Sequence, residues 1–355
     1  MQSKRSCRNA TTRAGCGLAV CLGFAATFPA AGEVVSGIAG EMPEASERAH
    51  TCGRDSRPAL QILGSGGPLY AGGRASASYL LWLSGRPTII VDVGPGSVVN
   101  LARAKADPSE IEVVLISHEH PDHVSDLPGL VWDEDVLDRD HPLIVVGPAG
   151  NDTYPGIRSF VRRLFGPEGP FPFMQTALNS NAAFHLDLRE IPVSPAQRLP
   201  VLNLHGVEIS AYPVSHGNAP TLAYRIDGAD FSVVLASDQS GTDPGFSTFA
   251  RKADILVLHT ALSPVAVGHP FARVIGLPQQ LAKLGADAGA ARVVLSHLMG
   301  LPAGRRSAAD FALADRAALM RSIRSIYRGE VSLAYDLECL PLGSSALHTR
   351  APDNP

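Results

Sequence analysis

Three histidines and an aspartate crowd into the hexapeptide "HEHPDH": His118, His120, Asp122 and His123. The chain has 12 histidines in 355 residues, so a quarter of them sit at this one place. Imidazole nitrogens and a carboxylate are borderline donors that suit Zn²⁺, with iron or manganese as alternatives. The run "IEVVLIS" before them is apolar and β-branched, and reads as a strand that ends where the histidines begin. Side chains two apart on an extended segment point the same way, so His118 and His120 converge. A turn at Pro121 sends Asp122 and His123 in a second direction. Donors aimed in two directions suggest two cations, with a purely structural histidine cluster as the alternative.

Four donors do not complete two sites. Three further candidates share one context: His216 closes "ISAYPVSH", Asp238 closes "FSVVLASD" and His297 closes "ARVVLSH". Alone, each reads as a turn residue or a satisfied core group. Together, at successive strand ends, they are better explained as one site gathered on one edge.

The elements that must position these residues fall into two comparable series. "ALQILG", "SASYLLWL", "RPTIIVDV", "IEVVLIS" and "HPLIVVGP" read as strands, with helices at "DLPGLVWDEDV" and "GIRSFVRRLF". Residues 166 to 200, rich in Pro, Asn and small residues, give no clear element. A second set of strands follows in "VEISAYPVSH", "TLAYRID", "FSVVLASD", "ADILVLHTAL" and "ARVVLSH". Helices are expected at "LPQQLAKLGADAG" and "SAADFALADRAALMRSIRSIY", and a final strand pair in "GEVSLAYDLECLPL". Strands then helices, twice, suggest an α/β protein built as a four-layer αββα sandwich.

With these residues in place, the sequence resembles the metallo-β-lactamase-fold hydrolases over about residues 58 to 345. His118, His120, Asp122 and His123 match that family's HxHxDH motif, and His216, Asp238 and His297 follow in the order of its remaining ligands. The resemblance implies that His118, His120 and His216 hold one metal, and Asp122, His123 and His297 the other. Asp238 would bridge them, and Asp92 in "IIVDVGPG" would support the site. "ILGSGGP", "VVGPAG", "SHGNAPTLAYRI" and "GHPF" resemble the branch containing ribonuclease Z and the zinc arylsulfatases. Two departures stand out. The long arm of the tRNA-processing enzymes is absent, since only "IDGADFSVVLAS" separates Arg225 from Asp238. Thr260 replaces the glutamate of that branch's His-Glu-Ala-Thr segment, after His259. The resemblance implies a water activated by two divalent cations, with Asp122 orienting it and His269 or His259 as proton donor. His259 reads more readily as a buried histidine on an apolar strand. His50, His141, His185, His205 and His348 sit in turns or mixed-polarity segments, where exposure is expected.

The start of the chain has its own logic. Lys4, Arg5, Arg8 and Arg13 precede the apolar "CGLAVCLGFAATFPAAG", the order of a secretory signal, with cleavage expected near Ala30 or Ala31. A disordered or buried helix is the alternative. Residues 1–31 would be the signal, 32–57 an irregular lead-in and 346–355 a disordered tail. Removing four of the 30 basic residues leaves 26 against 34 acidic ones, about −8, which lacks the footprint of a bulk nucleic-acid binder. Cys52 and Cys339 remain, either as one disulfide in a periplasmic or secreted protein or as two unrelated thiols. The expected activity is hydrolysis of a phosphodiester or sulfate ester in a small-molecule substrate. Lactone or thioester hydrolysis, and a single-iron redox or non-catalytic relative, are the alternatives. A homodimer is left open.

Overall fold

The computed structural model describes residues 52–53, 56–69, 71–136, 139–301, 305 and 307–343. The expected signal segment, most of the lead-in and the C-terminal tail lie outside the described residues. Two seven-stranded sheets dominate. The first runs β14-β1-β2-β3-β4-β5-β6, from β1 (Ala59–Gly64), β2 (Ser78–Leu83), β3 (Arg86–Val91), β4 (Val113–Leu115), β5 (Leu143–Pro148), β6 (Leu186–Ile191) and β14 (Cys339–Pro341). The second runs β13-β12-β11-β10-β9-β8-β7, from β7 (Leu199–Leu204), β8 (Val207–His216), β9 (Ala219–Asp227), β10 (Ser232–Leu235), β11 (Ile255–His259), β12 (Arg292–Ser296) and β13 (Glu330–Leu333).

Alternation along the strands explains the layering. Val113 and Leu115 of β4 face the second sheet and pack in a shared core with Leu222, Tyr224, Val233 and Val257. Val114 between them faces outward, onto Leu101 of α1 (Ser97–Arg103), Leu130 of α3 (Leu127–Val136) and Val161 of α4 (Ile157–Phe165). On the far side, Val234, Leu256 and Leu295 pack against Phe246 of α5 (Pro244–Phe249), Leu281 of α6 (Pro278–Ala288) and Leu319 of α7 (Arg316–Ile326). Helices, sheet, sheet and helices make the αββα sandwich. Strands buried on both faces must be apolar throughout, which is why β4, β10, β11 and β12 read as unbroken hydrophobic runs.

Strand direction decides where the site forms. β10, β11, β12 and β13 are parallel. β9 is antiparallel to both β10 and β8, so β8 runs the same way as β10. The C-terminal ends of β8, β10, β11 and β12 therefore line one edge. In the first sheet β3, β4, β5 and β6 are likewise parallel and end together.

Three local readings change. The final strands do not pair: β13 joins β12, while β14 crosses to β1 in the other sheet. The last helix is shorter than expected, because the Asp315 side chain accepts from Ala318 N and caps a helix that starts at Arg316. Residues 308–310 and 312–314 before it are 3₁₀ turns. The unclear stretch contains β6 and a 3₁₀ run, Pro172–Leu178. No helix among the described residues is long and apolar enough to cross a membrane.

Cys52 and Cys339 are joined in a disulfide across 287 positions, with Cα atoms 5.5 Å apart. It ties the lead-in to β14, next to β1. A bridge over so long a loop restricts the unfolded chain, so Cys339→Ser should destabilise the protein by about 2–5 kcal/mol. A thermal melt should show a drop of several degrees that reduction of the wild type reproduces. An unchanged melt, or two alkylatable thiols in the unreduced protein, would contradict the bridge.

Candidate metal centre

β4 stops at Leu115, and the next residues carry the motif. His120 lies on extended backbone, and Pro121 opens the one-turn helix α2 (Pro121–Val124; the second helix in chain order), with His120 at its N-cap. That turn divides the donors as expected. His118 Nε2 meets His120 Nδ1 at 3.0 Å, and His216 Nε2 comes within 3.3 Å of the same atom from the end of β8. On the other side, Asp122 Oδ2 lies 3.0 Å from His297 Nε2 and 3.5 Å from His123 Nε2. Asp238 stands between the two groups: its Oδ2 is 3.6 Å from His216 Nε2 and 3.8 Å from His123 Nε2. All seven sequence-predicted ligands are thus brought together.

Backbone strain helps aim them. Asp92, Ser237 and His297 take positive φ of 58°, 55° and 58° just past their strand ends, a conformation that non-glycine residues adopt at a cost. Gly67 passes directly over the His297 ring, where a Cβ would sit 2.5 Å from Cε1. Only glycine fits there.

Hydrogen bonds from outside the cluster fix three of the rings. Asp92 Oδ2 accepts from His123 Nδ1 at 2.8 Å, leaving Nε2 to face Asp122 and Asp238. Ser117 Oγ donates to Asp92 Oδ2 at 2.8 Å, so it accepts from His118 Nδ1 at 3.0 Å. His216 Nδ1 donates to Val274 O at 2.8 Å. Asp92 supports the site in the manner expected, without itself joining either donor group.

His259 belongs to the site in a way the sequence reading missed. It is buried, its Nδ1 donates to Asp238 Oδ1 at 2.7 Å, and the Tyr79 hydroxyl lies 2.8 Å from its Nε2 and from Ser296 Oγ. Both nitrogens are engaged within the protein, so the proton-donor role gives way to that of holding Asp238. The available signal was its place at the end of β11, the context shared by His216 and His297. His269, the other expected proton donor, caps the 3₁₀ turn Pro270–Arg273, where Phe271 N donates to its Nδ1 at 3.2 Å. Its ring lies against Phe271 and Phe311, and these contacts lend its expected role no support. Of the remaining histidines, His141 and His205 are exposed, His185 is half-buried, and His50 and His348 lie outside the described residues.

Electrostatics separates the two donor groups. Burial, reinforced by neighbouring imidazoles, pushes His118 well below the usual histidine range and lowers His120, so both are neutral donors. In the second group burial opposes every charge. The pull of Asp122 and Asp92 on His123, and of Asp238 and Asp122 on His297, nevertheless raises both imidazoles. The same contacts hold Asp122 and Asp238 below the carboxylate range, although burial works the other way. Burial drops His259 to about 4 despite Asp238, keeping it neutral. Buried carboxylates facing imidazoles demand positive charge, and three imidazole lone pairs meet in the first group with no proton donor among them. His123 Nε2 is buried without a hydrogen-bond partner. Both donor sets fit divalent cations.

The fold and this site define a metal-dependent hydrolase, and the chain belongs to the beta-lactamase superfamily, whose domain model matches residues 88–298. Within it the sequence is ribonuclease Z-like. Ribonuclease Z of Mycobacterium avium (strain 104) is 28% identical over 253 residues, covering 67% of this chain and 85% of the relative. Human tRNase Z, short form, superposes with a TM-score of 0.61 at 19% identity, covering 81% of this chain and 100% of that one. The metallo-beta-lactamase fold protein YhfI from Bacillus subtilis gives 0.59 at 19% identity, covering 80% and 98%. These two structures share the fold.

If His259 holds Asp238 in place, His259→Ala should weaken zinc binding by about 10–100-fold while leaving the circular dichroism spectrum intact. Competition with a chromogenic chelator measures this, and an unchanged affinity would contradict the assignment.

Proposed function

We propose that the protein is an exported phosphodiesterase acting on small ester substrates with two divalent cations, zinc in the first instance. The observation that carries this reading is the pair of donor sets joined through Asp238, His118/His120/His216 on one side and Asp122/His123/His297 on the other. A single-cation protein would have no use for the second set. When bound, the cations lower the pKa of a water and draw charge from the ester oxygens.

The chain's own residues do the rest. Neutral His118 and His120 offer lone pairs without needing to lose a proton, and His216, with Nδ1 donating to Val274 O, turns its Nε2 towards them. Asp122, kept ionised by His123 and His297, accepts a hydrogen bond from the attacking water and orients it. Asp238, held by His259, keeps the two donor sets at a fixed separation.

Several features support the narrower parts of the reading. The relative named ribonuclease Z cleaves phosphodiesters by its name, which favours that ester class. β9 and β10 are joined by the short turn 228–231 rather than an arm, which argues for a substrate smaller than tRNA. The disulfide and the basic-apolar N-terminus favour an oxidising compartment outside the cytosol.

The test is a side-by-side rate comparison of an aryl phosphodiester and an aryl sulfate with zinc-reconstituted protein. The phosphodiester should turn over faster, and His120→Ala should lose more than about a hundredfold. A sulfate preference would move the reading to arylsulfatase. No turnover of either ester with two zincs bound would overturn it in favour of a carbon ester or lactone.

A further inference from the structure

Between β5 and α4 the chain makes a compact loop that no part of the metal-ligand pattern explains. Asn151 organises it: its Oδ1 accepts from Thr153 N and Tyr154 N, both at 2.9 Å, and its N donates to Tyr154 O at 2.9 Å. Asn151 Nδ2 reaches across to the second sheet and donates to Asn218 O at 2.8 Å. Asn218 Nδ2 answers with Thr153 Oγ1 at 3.5 Å. Asn218 lies two residues past His216, in the turn between β8 and β9. A loop of one sheet is thereby strapped to the hairpin that carries a candidate ligand from the other.

The strap sets the place of Tyr154, whose half-buried side chain puts its hydroxyl 3.0 Å from His120 Nε2. The direction of that bond follows from the other nitrogen. His120 Nδ1 faces His118 Nε2 and His216 Nε2, so as a ligand it must carry its lone pair there and its proton on Nε2. His120 Nε2–H therefore donates and the tyrosine oxygen accepts. The phenolic O–H is left over, and among the described residues no acceptor takes it. It is a hydrogen-bond donor held against the outer nitrogen of His120, the one half-buried member of the three-histidine group. His259 has no free nitrogen to play that part, and Thr260 stands where the family branch has a glutamate.

We propose that the Tyr154 hydroxyl donates a hydrogen bond to an anionic oxygen of the bound ester at the His118/His120/His216 side of the centre. The proposal rests on the hydrolase reading above only in taking the ligand to be an oxyanion. Tyr154 contacts the ligand directly, and His120 orients it rather than the reverse.

Inorganic phosphate is the probe, titrated calorimetrically into zinc-loaded wild type and Tyr154→Phe, with chelator competition run on both. Tyr154→Phe should bind phosphate about 10–100-fold more weakly, the loss of one hydrogen bond to a charged group. Its zinc affinity should stay within about threefold, since water can replace the phenol at His120 in a half-exposed position. Equal phosphate binding by the two proteins would overturn the proposal. So would a 10–100-fold loss of zinc affinity, which would make Tyr154 a support for His120 alone. A wild type that binds two zincs but no phosphate would overturn it as well. A wild type that binds phosphate but hydrolyses no ester would remove the hydrolase reading and leave the Tyr154 comparison intact.

Discussion

One buried carboxylate organises this structure. Asp238 is almost wholly removed from solvent, and an isolated charge so placed would cost several kcal/mol. It stays ionised because His297, His123 and His259 surround it, each delivered by a different element. His123 comes from the turn after β4 in one sheet, while His259 and His297 come from the ends of β11 and β12 in the other. The sheets must therefore meet with their C-terminal edges aligned for Asp238 to be buried as an anion. Fold and site are one constraint seen at two scales.

The same requirement explains the layers around the centre. Three of the rings that face the metal-ligand group have the far nitrogen fixed by a fitting partner: Asp92 for His123, Ser117 for His118 and the Val274 carbonyl for His216. Fixing the tautomer from outside aims the lone pairs of His118 Nε2 and His216 Nε2 inward before any cation arrives. Positive φ at Asp92 and His297 is strain tolerated for that aim. Glycine at position 67 lets the backbone of the first sheet cross the His297 ring.

Much of this was legible in the sequence because the chemistry is dense there. Histidines and aspartates at the ends of unbroken apolar strands have few structural uses, so all seven candidate ligands could be named from the sequence, while their assignment to two sets came from the family resemblance. The supporting residues were harder. His259 sits on a strand as apolar as any in the core, and nothing local separates a ring that packs from one that holds a carboxylate. Tyr154 lies in the polar loop "AGNDTYPG", where its meaning depends on Asn218 in the other sheet. Pairing across the chain was hidden for the same reason. "GEVSLAYDLECLPL" reads as two strands, but nothing between Leu333 and Cys339 tells that they enter different sheets. The edge strands β6 and β7 lack the fully buried pattern of the central strands, and β7 carries Pro200, which only an edge or a bulge accommodates.

The account stands or falls on two cations sharing Asp238. The direct measurement is a crystal of zinc-reconstituted protein with anomalous diffraction recorded on both sides of the zinc edge. Two peaks are predicted, one among His118 Nε2, His120 Nδ1 and His216 Nε2, the other among Asp122, His123 and His297, with Asp238 touching both. A single peak at full zinc occupancy, or one peak that disappears at the zinc edge and appears at the iron edge, would contradict it.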